Sequence, residues 1–178
     1  MQRTGGNGIL MFVGQSAPAG DRPYVIRPME HSLATSPREQ QNELLNAAID
    51  MALKLIGKHG AHVPFAMVIG SDGKRFNIAV DDRETQDGRV LEESLLNELR
   101  SLCGRNELKT VAFARNVEYR SADDGSHVDA IEITLDHLDD SAVTCMLPYR
   151  LRNTGQPMPG ELFAIDPSFT FFRRSEGG

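Results

Sequence analysis

The hexapeptide LDHLDD at 135–140 gathers Asp136, His137, Asp139 and Asp140. Carboxylates and a neutral imidazole can ligate a divalent ion, and the same groups can trade a proton near neutral pH. Either use needs side chains that converge. On a strand, successive side chains leave on opposite faces, so Asp136 and His137 diverge unless a bulge separates them. Ile131, Ile133 and Leu135 share the His137 face, and Glu132 and Thr134 share the Asp136 face. The apolar row that follows is Val143, Cys145 and Leu147, continued by Tyr149. A three-residue loop, Leu138-Asp139-Asp140, would set Leu135 opposite Val143 and Ile133 opposite Cys145. Asp tolerates the left-handed conformation that such a loop uses. The stretch is therefore expected to be the polar end of a hairpin, with no metal ion and no cofactor.

Other chemistry-bearing residues are less organised. His59 and His62 are three apart, but two histidines do not complete a coordination shell. GSDG at 70–73 lacks both the phosphate-loop pattern and a following helix. Cys103 falls at the end of a helical pattern, away from the helix N-terminus that would activate a thiol. Ser121, Ser126, Asp123 and Asp124 share one polar loop with His127, and a triad is a matter of geometry rather than composition. The best enzymatic case gathers His127, Asp129, His137 and Tyr149 at one end of a sheet, as in a small hydrolase or nucleotide-processing enzyme. Its rival, which the sequence favours, is a non-enzymatic interaction or ligand-binding module that self-associates. Two observations separate them: an enzyme needs those four groups within reach of each other in a concave site, whereas a binding module needs an exposed apolar patch.

The elements that must position these residues follow from pattern. SPRE at 36–39 combines an N-cap serine, a first-turn proline and the glutamate of a capping box, and predicts a helix over 37–57. Leu45, Ile49, Ala52, Leu53 and Ile56 form its expected stripe, with Gly57 and Gly60 as stops. Residues 64–80 read as a hairpin about Asp72-Gly73. A second helix over 88–103 carries Leu91, Leu95, Leu99 and Leu102 at helical spacing. Strands follow at 109–120, 128–137 and 142–151, then a loop at 153–160 and a last strand at 161–172 broken near Pro167. The class is α+β, a single mostly antiparallel sheet of five or six strands with two helices, in the order α-ββ-α-βββ-β. The helices are expected over the large apolar rows, leaving rows of Ala66, Ala79, Ala112, Ala114 and Ala130 on the opposite side. Residues 1–35 read as a flexible, Gly- and Pro-bearing extension, and 36–174 as one α+β domain.

The chain has 178 residues, enough to bury a core without disulfides or metal. A net charge of −6, with no basic cluster to offset it, argues against nucleic acid or an anionic membrane as partner. No apolar run reaches the length of a membrane span. Cys103 and Cys145 show no paired spacing and fit a reducing, cytoplasmic setting. Half of the eight phenylalanines lie in 163–172. Phe169, Phe171 and Phe172 are therefore expected to join a homodimer interface, so that Phe172→Ser weakens a dimer and spares the fold.

Asp72-Gly73, Asp129-Ala130-Ile131 followed by Leu135 and His137, Leu147-Pro148-Tyr149, and Gly160 to Ala164 together resemble a family of uncharacterised bacterial proteins. That family carries a DG hairpin, a DAI-x-V-x-L-x-H strand, an LPY strand and a GELFA strand. The resemblance covers 61–172 and implies a bacterial, cytoplasmic protein with no established activity. Ile133 stands for the pattern's Val, Asp136 for a Glu, and Asp166-Pro167 for a Gly-Glu turn.

Overall fold

A computed structural model of the chain describes residues 24–80 and 87–174. The elements are β1 (Tyr24–His31), α1 (Pro37–His59), β2 (Phe65–Gly70), β3 (Lys74–Val80), α2 (Gly88–Gly104), β4 (Leu108–Arg120), β5 (His127–His137), β6 (Asp140–Leu151), β7 (Pro157–Pro159) and β8 (Phe163–Ile165). They form one sheet in the order β1-β3-β2-β4-β5-β6-β7, with β8 also on β6. Every pairing is antiparallel. The class is α+β as expected, but with eight strands among the described residues.

Each extra strand has a physical reason for escaping pattern reading. β1 contains Pro28, which has no N–H to give a ladder, and it survives because β1 is an edge strand paired only to β3. The ordered domain thus takes in residues assigned to the extension; 1–23 lie outside the described residues. β7 is Pro-Met-Pro, three residues in the expected loop. The expected strand over 161–172 pairs only at Phe163–Ile165, against Met146–Thr144. Beyond Pro167 the chain leaves the sheet plane and becomes a strap across one face.

The helix starts follow the sequence. Ser36 Oγ accepts from Glu39 N at 3.2 Å, and Glu39 Oε2 accepts from Ser36 N at 3.0 Å. At the other end Gly60, at φ 82°, donates its N–H to Ile56 O, a left-handed cap that suits glycine. Gly57 stays helical, and a Cβ there would meet Gln156 and Pro157 at 3.4 Å. The α1 stripe is turned toward one side of the expected one and shares only Ala52 and Ile56 with it. Leu44, Ala48, Ala52 and Ile56 are fully buried, while Leu45, Ile49 and Leu53 flank them half-buried.

The two helices cover opposite faces of the sheet. On one, α1 packs with Phe65, Met67, Ala112, Ala114, Ile131, Ile133, Leu135 and Leu147. On the other, the leucines of α2 pack with Ala66, Val68, Phe76, Val111 and Phe113. The expected division into a large-residue face and an alanine face is therefore wrong. The alanines are shared between faces, and Ala66, Ala112 and Ala114 are buried under helices. A short side chain on a strand lets a helix lie close, so small residues mark the contact rather than its absence.

Candidate functional site

The β5–β6 register is the expected one: Ile131 faces Leu147, Ile133 faces Cys145 and Leu135 faces Val143. The turn is shorter than expected. His137 pairs with Asp140, leaving Leu138-Asp139 as the turn, and the register shifts between Leu135 and His137. Ser141 and Ala142 then oppose Asp136 alone, a bulge in β6 that supplies the odd residue the parity requires. β5 itself is regular against β4, with Val111 opposite Asp136 and Thr110 opposite His137. Asp136 and His137 therefore point to opposite faces.

On the α1 face, His137 Nδ1 accepts from Asp139 N at 2.9 Å, which leaves Nε2 as the donor to Gln40 Oε1 at 2.9 Å. Thr110 Oγ1 donates to the same Gln40 oxygen at 3.1 Å. The imidazole is thus neutral, with both nitrogens used. Burial lowers its pKa, opposed by the charges of Asp139 and Asp140.

On the α2 face, Asp136 is 0% exposed. Its Oδ2 accepts from the backbone N–H of Phe171 at 2.7 Å and of Phe172 at 3.1 Å, and its Oδ1 accepts from Arg174 Nη2. Arg174 also donates to Asp140 O and His137 O. This clasp holds the strap down. Phe171 and Phe172 are 6% and 4% exposed, within the α2-side core. Phe169 packs at its rim, edge-on to Phe113 and Phe171. Of the three rings expected at a dimer interface, two are sealed inside the chain.

The strap and the end of α2 bound an open cleft of about 1160 Å³, lined among others by Arg100, Cys103, Asn106, Leu138, Arg173 and Arg174. The Cys103 thiol there is pushed up to about 12 by burial and by the charge of Asp136, so it is a poor nucleophile.

The four residues of the enzymatic reading are not gathered. His127 and His137 occupy opposite ends of β5, ten residues and so about 33 Å apart. At the His127 end, His127 Nδ1 lies 2.6 Å from Glu118 Oε1 in an exposed pair. Tyr149 OH donates to Asn116 Oδ1 at 2.6 Å. Burial raises the Tyr149 pKa, as does the charge of Asp129, while the Asn116 bond lowers it. Asp129 is exposed. His59 is exposed at the end of α1, whereas His62 is buried, with Nδ1 3.0 Å from Val63 O and its pKa lowered by burial. Among the described residues, no three His, Cys, Asp or Glu side chains form a group that could hold a metal ion. No described helix is long and apolar enough to cross a membrane.

A third region takes in part of the last strand expected over 161–172. Leu151, Met158, Leu162, Phe163 and Ile165 are exposed along the outer edge formed by β6, β7 and β8. All three β8 residues are exposed, Phe163 at 39% and Ile165 at 44%. Alternation could not have found it: Phe163, Ile165, Phe169 and Phe171 share one parity, yet the first two are exposed and Phe171 is buried.

The chain matches no family model, no curated protein and no solved structure.

Proposed function

We propose that this protein is a non-enzymatic interaction module that self-associates through the β7–β8 edge of its sheet. The observation that carries the reading is the exposed pair Phe163 and Ile165 on a terminal strand of the sheet. An edge strand offers unpaired N–H and C=O groups, and apolar side chains on it favour pairing with another strand. Natural edges usually carry charge to prevent this, and β8 carries none. The interface moves accordingly, from Phe169, Phe171 and Phe172 to Phe163 and Ile165. The hydrolase alternative loses support from the separation of His127 and His137. Two buried free cysteines suit a reducing compartment, and with the family resemblance the reading extends to a bacterial cytoplasm.

Sedimentation velocity across the micromolar range tests the reading. Wild type should dimerise, and Ile165→Lys or Phe163→Lys should weaken the dimer at least about tenfold without lowering the melting temperature. A wild-type monomer at high micromolar concentration would refute it.

A further inference from the structure

The arginine-lined cleft stands apart from the β7–β8 edge. The chain has a net charge of −6, yet Arg100, Arg173 and Arg174 border one cleft, and among the described residues no acidic side chain lines it. We infer that this cleft binds a small organic phosphate, its dianionic head between the three guanidinium groups and its apolar body against Leu138.

Two of the arginines are held in place by the protein. Arg174 is oriented by Asp136 and by the Asp140 carbonyl, through bonds that use Nε and Nη2 and leave Nη1. Arg100 lies over the Phe169 ring, 6.0 Å from its centroid, in the range of a cation–π contact. Arg173 is exposed beside them and has no ion pair among the described residues. A fork whose direction is already fixed loses less entropy when it takes up a ligand.

The charge count selects the ligand class. Asp136 neutralises one of the three cations, so two positive charges remain. That balance suits a phosphate monoester, which carries roughly −1.5 to −2 near pH 7, better than a single carboxylate. Guanidinium forks match phosphate oxygens in pairs. The cleft, at about 1160 Å³, is somewhat larger than the usual small-molecule site of roughly 300–1,000 Å³, and has room for more than a bare ion. Leu138, half-exposed at its wall, supplies an apolar contact for the remainder.

Calorimetric titration of the full chain with phenyl phosphate, inorganic phosphate and succinate tests the inference. Phenyl phosphate should bind saturably, and more tightly than either of the others. Arg100→Gln and Arg173→Gln should each weaken it about tenfold or more, the loss expected for a charged hydrogen bond, with melting temperatures unchanged. Arg38→Gln, on the exposed side of α1, should leave the affinity as it was. Absence of saturable binding at low salt would overturn the site, as would equal weakening by Arg38→Gln. Inorganic phosphate binding as tightly as phenyl phosphate would remove the apolar subsite, and tighter binding of succinate would overturn the phosphate class.

Discussion

His137 and Asp136 are chain neighbours at the end of β5, and each secures a different layer of the molecule. Toward α1, His137 is neutral and shares the oxygen of Gln40 with Thr110. That network joins elements already packed through a broad apolar contact, so it adds to a face that closes without it. Toward α2, the segment fastened by Asp136 belongs to no helix or strand, and a buried carboxylate takes two of its backbone N–H groups and one guanidinium. The contrast teaches where charge is useful inside a protein. A chain segment without a ladder must find partners for its N–H groups elsewhere, and a carboxylate accepts several at once.

The largest expected effect is on the charged side. Asp136→Ala should cost about 3 kcal/mol or more, because it leaves buried donors and a guanidinium without their acceptor. Urea unfolding measures this, and a loss below about 1 kcal/mol would mean that the strap is held by its rings alone. Phe172→Ala should be of similar size, about 3 kcal/mol, as for other buried phenylalanines. The expectation that Phe172→Ser spares the fold is reversed, and a variant with unchanged stability would restore it.

The neutral side should respond to pH. Burial lowers the pKa of both His137 and His62 below the ordinary value of 6.5. Between the lowered value and 6.5 the unfolded chain binds more protons than the folded one, so stability is complete above pH 6.5 and falls as the pH drops through it. Urea midpoints at pH 7.5 and 5.5 should show this loss, and His137→Gln should reduce it. An unaltered pH dependence in that variant would remove His137 from the account. The smallest effect belongs to the α1 cap, which touches neither face's lock. Ser36→Ala should cost about 1 kcal/mol by urea unfolding.

Legibility followed local chemistry. The capping box of α1, the Asp72-Gly73 turn with Gly73 at φ 82°, the α2 leucine stripe and the β5–β6 register could all be read, because each is set by neighbours in sequence. The α1 stripe was read at Ala52 and Ile56 but missed at Leu44 and Ala48, because apolar residues surround its buried line and only the packing decides which of them face the sheet. β1 and β7 were missed because proline argues against a strand, whereas position at an edge decides whether it is tolerated. Parity correctly separated Asp136 from His137. It could not supply the partners of Asp136, which lie 35 and 36 residues away on a segment with no periodicity of its own. Arg173-Arg174 directly after Phe171-Phe172 was the one available hint: two rings that go inside, then two cations at the rim.

The Asp136 clasp also has a signature in hydrogen exchange. Amides outside helices and strands normally exchange quickly, because little opening is needed to expose them. Phe171 and Phe172 should behave otherwise, since their amide hydrogens are bonded to a buried carboxylate. If both exchange only when the strap lifts, their common rate reports how often it does so. The amides of β5 beneath them report the opening of the sheet itself. The gap between those two rates is the free-energy difference between a loosened strap and an unfolded protein, read at single residues in the intact chain.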